Sequence, residues 1–436
     1  MQFNATTIND NKFKIGLAVA ILGAALATAL ISASGSALGG GTTFVVDDDG
    51  LATPGDCESL TPTLYTDIQP AVTAASAGDT IKVCSGPYTG FSVDRKLYLK
   101  GAKAGVPYWT RTFGNPSEST VTGLVTIDAA DVKLDGFSLT NPNQGLGVLV
   151  KATGNGAVIK KNIVNGVGGP AFANHTVGVY LELGPDNVTV KSNKISNIQS
   201  ANPAGAPGTA QGILVGDSSS GDPSLNTNVQ SNNISDIQSS TRGAYGIQVN
   251  NGASTVPTAT GYSEVKIRGN KISDVSGAWA RGVGLEGETP NAVVRYNKIS
   301  NLNSPPFDVP GDIPDAGPVP TEAAVFFEDN PFFFTSNVNR NSLAVGTDAF
   351  GIVIAKALTD VYVSLSVDGE CNWWGASNGP GAVASGSGSL VGPNVDYKPW
   401  LKSDNLKKWC GDKKFNDGDH HHGAWDWGDW DHWDDD

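Results

Sequence analysis

Polar and apolar residues alternate in short runs along most of the chain, and the runs repeat. In Val188-Thr189-Val190-Lys191 every second side chain is apolar, which is the period of a β-strand. A polar corner follows, Ser192-Asn193, and then a second run, Lys194-Ile195-Ser196-Asn197-Ile198. Similar text returns around Asn162, Asn193, Asn232, Asn270, Asn297, Asn341 and Asn372, at intervals of 31, 39, 38, 27, 44 and 31 residues. Repeats of roughly 20–50 residues mark solenoids, propellers or arrays. A further strand precedes each asparagine segment: GVYLEL, GILVGD, GIQVNN, GVGLEG and AVFFED are examples. Short strands with so little room for helices exclude a doubly wound α/β sheet. They predict an all-β parallel solenoid with three-strand rungs. Each rung would hydrogen-bond to the next at about 4.8 Å, apolar side chains inward.

The repeated asparagine then has two expected roles. At a corner the backbone can need the left-handed conformation, which Asn tolerates. Stacked once per rung, its amide can also bond to the asparagines above and below. The unequal intervals become loops inserted at other corners, such as SANPAGAPGTA and the Pro-rich NSPPFDVPGDIPDAGPVP. The ends of a solenoid need covers. Thr66-Asp67-Ile68-Gln69 has capping-box spacing, with Pro70 in the first turn, and predicts a helix whose Ile68, Val72 and Ala75 face the front rung. Trp373 and Trp374 are expected to fill the other end.

Two segments carry a resemblance. DIQPAVTAASAGDTIKVCSGPYTG, LYLKGA and VKLDGFSLTN resemble the opening of right-handed parallel β-helix proteins of the pectin-lyase-like superfamily. CNWWGASNGPG and VDYKPWL resemble the closing segment of its surface and secreted members. The resemblance spans about residues 43–402. It implies a right-handed parallel β-helix with an N-terminal capping helix. It implies no single activity, because the superfamily holds lyases, hydrolases, epimerases, tailspikes and non-catalytic surface proteins. The calcium-binding aspartate cluster of its lyases, the Asn-Thr-Asp and His-Gly segments of its hydrolases and the Asp-Pro-His-Glu segment of its epimerases have no counterpart here.

Charge and the chain ends add a compartment. Lys12 and Lys14 precede an apolar run, Ile15 to Ala33, and Gly35-Ser36-Ala37 is a small-x-small cleavage site. Residues 1–37 therefore read as a signal peptide or, uncleaved, an N-terminal anchor, the one expected contact with a membrane. Either exports the remainder to the cell surface or beyond. Four cysteines allow three pairings, and the local one, Cys57–Cys84 with Cys371–Cys410, would clamp both ends. The formal charge of −14 argues against a nucleic-acid partner. Residues 38–402 are read as the β-helix domain and 403–436 as an acidic tail rich in Trp, His and Asp. No cofactor is required by any motif. In the tail, His420, His421, His422 and His432 are candidate ligands for a transition metal, and the aspartates for calcium.

Candidate chemistry elsewhere comes from alignment of the rungs. Four residues after the glycine position, successive rungs present Lys151, Glu182, Gly216, Asn250, Glu286, Glu328 and Ala355. Glu286 and Glu328 would be stacked neighbours, with Arg281 just before its strand and Asp217 and Asp329 one position on. Stacked carboxylates raise one pKa, and their spacing suits a retaining glycosidase. Two residues earlier, Tyr180 and Phe326 could stack on sugar rings, and Glu182 and Asn250 could bind a ligand. The bland reading of these columns is a solvated outer face. With no catalytic motif, the expectation is a non-catalytic adhesion, envelope or glycan-binding protein, whose partner is a polysaccharide or other envelope component. The alternative is a polysaccharide lyase or glycoside hydrolase using Glu286, Glu328 and Arg281.

Overall fold

The structure is a computed structural model. It describes residues 41–49 and 64–410, apart from 170–171, 173, 183, 202–207, 217–225, 252–264, 288, 305–320, 329, 331–332, 356–360, 362–363 and 383–384. The residues read as an export signal, Cys57, Asp217, Asp329, the Pro-rich loop and the tail histidines lie outside the described residues.

The chain forms a parallel β-helix. Its first column of strands is one parallel sheet that runs the length of the body. Typical members are Val158–Lys160, Thr189–Lys191, Asn228–Gln230, Lys266–Arg268 and Val293–Arg295. Each of these three-residue strands buries its middle residue and leaves both neighbours partly exposed. That middle position is Ile159, Val190, Val229, Ile267 or Val294, all fully buried. The second column contains Ile163–Gly169, Lys194–Ser200, Asn233–Ser239 and Lys271–Ser276. The third contains Thr176–Leu181, Ala210–Val215, Ala244–Asn250, Ala280–Glu286, Glu322–Glu328 and Phe350–Ile354. Near the front, the long strand Ser119–Ile127 pairs with both later columns, so the two are continuous there. All three columns feed one core, and burial of each Val or Ile contributes about 1.5–3 kcal/mol.

The seven repeated asparagines form one ladder in the interior. The Oδ1 of Asn193 accepts from the backbone N–H of Asn162 at 2.9 Å and from its Nδ2 at 3.2 Å. The same two bonds join Asn193 to Asn232, Asn232 to Asn270, Asn270 to Asn297, Asn297 to Asn341 and Asn341 to Asn372. Each Nδ2 also donates to a first-column carbonyl, as Asn232 does to Val190 at 2.9 Å. Every ladder residue is at most 1% exposed. Buried amides cost energy unless bonded, and here the stack supplies the partners.

The left-handed backbone sits elsewhere than expected. It falls on the residue before the ladder asparagine: Lys161, Ser192, Ser231, Gly269, Tyr296, Arg340 and Cys371 all have φ between 53° and 65°. The asparagine itself must keep its amide aimed along the axis, so its neighbour absorbs the turn. Asn and Asp do take left-handed φ elsewhere: Asn197, Asp236 and Asp274 inside the second-column strands, and Asn187, Asn226 and Asn291 just ahead of first-column strands. At the start of the third column, Gly212 is required by close approach. A Cβ there would lie 2.6 Å from both the carbonyl oxygen of Gly246 and Cγ2 of Ile234.

The helix Ile68–Ala74 covers the front, with Ile68, Ala71 and Val72 buried. Asp67, not Thr66, is its N-cap and accepts from the Ile68 N–H at 2.7 Å. Gln69 does not reach back to complete a capping box. It bonds the backbone of Ser92, tying the helix to the strand Gly86–Val93. At the other end Trp374 is fully buried in the main core, whereas Trp373 packs in a separate cluster with Cys371, Leu401, Leu406 and Cys410. Cys371 and Cys410 form a disulfide. Cys84 is also disulfide-bonded, and its expected partner lies outside the described residues. Among the described residues no helix is long and apolar enough to cross a membrane.

Candidate functional site

Alternation along the third column sends one side chain inward and the next outward. In Ala280–Glu286, Val283 and Leu285 enter the core, so Gly284 and Glu286 lie on the outer face. Strand register then sets the neighbours. Asn250 pairs with Glu286 and Glu286 with Glu328. One position inward along the same face, Gln248 pairs with Gly284 and Gly284 with Phe326. Before the glycine bend, Tyr245 pairs with Arg281 and Arg281 with Ala323.

These groups form a connected polar cluster. Glu286 Oε2 accepts from Gln248 Nε2 at 2.8 Å and from Asn250 Nδ2 at 3.1 Å, whereas its buried Oε1 has no hydrogen-bond partner. The Tyr245 ring lies beside Gly284, where a Cβ would meet it at 2.9 Å. Trp279 Nε1 donates to the Tyr245 hydroxyl at 3.0 Å. Burial, first, and the Glu328 carboxylate push the Glu286 carboxyl up to about 7. Burial also pushes the Tyr245 hydroxyl well up, with both glutamates adding to it. Arg281 is 1% exposed, and its guanidinium lies 4.1 Å from the centre of the Phe326 ring, itself 1% exposed. Its Nε and Nη1 have no hydrogen-bond partner, and burial lowers its pKa. Stacking over an aromatic face is what the more weakly hydrated guanidinium tolerates.

The wiring extends to earlier rungs. Gln211 Nε2 donates to Gln248 Oε1 at 3.0 Å and to Thr209 Oγ1 at 2.6 Å. Thr209 Oγ1 lies 2.6 Å from His175 Nδ1, which also accepts from the Thr209 N–H at 3.3 Å. Burial, then the Arg242 charge, lowers the His175 pKa. A neutral imidazole protonated at Nε2 fits this pattern.

The structure thus places Glu286, Glu328, Arg281, Asn250 and Phe326 on one patch. Glu182 and Tyr180 are partly exposed on earlier rungs. By register Glu182 stands three rungs from Glu286, about 14 Å at the strand spacing. It neighbours Lys151, which is paired with Asp128 at 2.7 Å. Phe326 is packed beneath a cation, not displayed as a platform. Sequence reasoning omitted Tyr245, Trp279, Thr209 and Gln211. Tyr245 and Gln211 occupy the position before the glycine, as Arg281 does, and that alignment was available. Among the described residues no group of three or more His, Cys, Asp or Glu is placed to hold a metal ion. No model of a known protein family matches the chain, and no curated protein matches it.

Chemically, the patch offers one carboxyl that is about half protonated near neutrality, held by two amide donors on one oxygen. A cation and an aromatic ring lie close by but packed on each other.

Proposed function

We propose that the protein is an exported β-helix of the pectin-lyase-like superfamily. Its role is non-catalytic: adhesion, envelope structure or glycan binding at the cell surface or in secreted material. The observation that carries this reading is the burial of Arg281 against Phe326. A sugar-cleaving site needs its base and its stacking platform within reach of the chain being cut. Here those two groups stack on each other. A glycan-array and degradation screen on the export-processed protein tests the reading. Retention of glycans without breakdown is the expected result. Release of unsaturated uronates or reducing ends would overturn it.

One observation favours a second reading, a lyase or hydrolase. Glu286, raised to about 7 beside Glu328, has the ionisation a general acid needs. In that case Glu286→Gln abolishes breakdown of a glycan the wild type degrades. Equal rates in both proteins would eliminate Glu286 as the acid.

A further inference from the structure

The first corner of the β-helix has a charge pattern at odds with the rest of the chain. Its successive segments are VIKKNI (158–163), TVKSNK (189–194), NVQSNN (228–233), KIRGNK (266–271), VVRYNK (293–298) and NVNRNS (337–342). These six hold ten of the 29 Lys and Arg and no Asp or Glu, whereas the flanking segments of the same corner, KLDGFS (133–138) and VDGECN (367–372), add Asp135, Asp368 and Glu370 beside Lys133. The fold stacks these segments over one another. Lys160, Lys191, Gln230, Arg268 and Arg295 are successive register partners, and Lys194, Asn233, Lys271 and Lys298 form a second row. Within each strand the residue before the Lys160-row position is buried, so the cations lie on the outer face. Lys161 is buried; the other nine cations are at least partly exposed.

Like charges on adjacent strands repel, and Arg268 over Arg295 or Lys271 over Lys298 is such a pair. Several of the cations have local partners: Lys160 with Asp135 at 3.7 Å, Arg295 with Asn339 at 3.2 Å, and Arg340 with the carbonyls of Leu406 and Lys408 at 3.1 Å. One of these contacts is to an anion, Asp135 at the front of the stripe, and the summed formal charge of the six segments stays positive. The net charge of −14 does not cancel it either. Residues 411–436 alone hold nine Asp and two Lys, half of the excess.

We infer that this stripe binds a linear acidic polysaccharide lying along the β-helix axis. Charge complementarity calls for a polyanion, since rows of cations one rung apart meet a repeating anion along its length. Hydroxyl and amide groups interleave with them: Ser192, Ser231, Asn228, Gln230 and Asn233 are all partly exposed. These suit sugar hydroxyls, which a bare phosphate chain does not offer. The inference rests on the reading of an exported glycan-binding protein, but it lies on a different face from Glu286 and does not need that patch.

The test uses the full chain and three immobilised probes: dextran sulfate, unsulfated dextran of the same length, and double-stranded DNA. The wild type is expected to hold dextran sulfate and neither of the others. Affinity should fall on the order of tenfold or more between 50 and 200 mM salt. The variant Lys191→Glu, Lys194→Glu, Lys271→Glu, Lys298→Glu should lose about a hundredfold, while the off-stripe reversal at exposed Lys96, Lys96→Glu, leaves binding unchanged. Circular dichroism separates lost binding from lost fold, and the milder Lys→Gln set repeats the test if the reversal unfolds. Undiminished binding by a folded stripe variant would overturn the stripe and leave glycan binding standing. Equal binding of DNA would overturn the glycan assignment. Failure of the wild type to bind dextran sulfate would overturn the inference, whereas the wider glycan-array screen judges the function itself.

Discussion

Replacing Asn232 by Ala removes the middle of the ladder, and its cost can be counted bond by bond. Asn232 is 1% exposed. Its Oδ1 accepts from Asn193 N–H at 2.9 Å and from Asn193 Nδ2 at 3.0 Å. Its Nδ2 donates to Val190 O at 2.9 Å and Asn270 Oδ1 at 3.0 Å. Asn193 Nδ2 keeps its bond to Ile159 O, and Asn270 Oδ1 keeps the Asn232 backbone N–H. The Asn193 N–H loses the side-chain oxygen it bonds. A buried donor left so costs about 1–3 kcal/mol, and each remaining lost bond about 0.5–1.5 kcal/mol. The total is about 2.5–7.5 kcal/mol. The control is Asn197→Ala, exposed and left-handed at φ 57° within its strand, where the loss is about 1 kcal/mol, mainly backbone strain because the bond it accepts from Gln199 at 2.8 Å is exposed. Urea unfolding compares the two. Hydrogen exchange locates the damage, because a solenoid loses stability mainly through neighbouring rungs. The Asn193 amide should exchange much faster in Asn232→Ala and remain protected in Asn197→Ala. Equal destabilisation by the two substitutions, or an unchanged Asn193 amide, would refute the ladder's energetic role.

Three further outcomes follow from other parts of the body. The Cys371–Cys410 bridge closes a separation of 39 residues, so Cys371→Ser with Cys410→Ser should cost about 3–4 kcal/mol in thermal or urea unfolding. No loss would mean that packing of Leu401 and Leu406 alone holds the end. Arg111 and Glu118 are a buried pair, with Arg111 also donating to the carbonyls of Lys161 and Phe137. Arg111→Met should cost about 3–5 kcal/mol because Glu118 is left buried without its cation; the double variant with Glu118→Leu should recover part of that, and no recovery would refute the explanation. Glu286 has a folded pKa near 7 against an ordinary value of 4.5. Its stabilising contribution is therefore fully present below pH 4.5 and lost as pH rises through 7. The loss is on the order of 3–4 kcal/mol. Glu286→Gln should flatten stability over that window, and an unchanged pH slope would show that another group sets it.

How much of this was legible depended on which interaction fixed each feature. The rungs were readable because Val188 and Val190 bury in alternation with polar residues, and Ile195 and Ile198 bury on either side of the left-handed Asn197, where a slip of one residue would expose them. Once those apolar positions were aligned, the neighbours of Asn193 and of Glu286 followed by register. The backbone at the first corner was not readable in the same way. Ser192, Tyr296, Arg340 and Cys371 share no side-chain chemistry that announces a left-handed φ. That conformation is imposed by the asparagine beside them, whose amide must point along the axis. Likewise Asp67 displaces Thr66 as the helix cap because its second carboxylate oxygen also accepts from Thr89 at 2.8 Å, a contact across 22 residues.

The patch around Glu286 shows why columns predict adjacency better than chemistry. Register alone put Glu286 beside Glu328 and Tyr245 beside Arg281. Whether such residues work as acids, bases or platforms depends on burial, and burial at an outer face is set by contacts between rows. Gly284 leaves the space into which the Tyr245 ring folds, and Phe326 lies under the guanidinium of Arg281 on the preceding rung. Those two packings push the Glu286 and Arg281 pKa values in opposite directions, the carboxyl up and the guanidinium down. Burial favours the neutral carboxyl of Glu286, whereas Arg281 keeps its charge, stacked on Phe326. A patch that covers its cation and favours a protonated carboxyl is built for packing, not for the exposed, fully ionised pair that cleavage of a glycan would use. The basic stripe differs in this respect: its cations stay at the surface, where register alone is enough to predict the field they make.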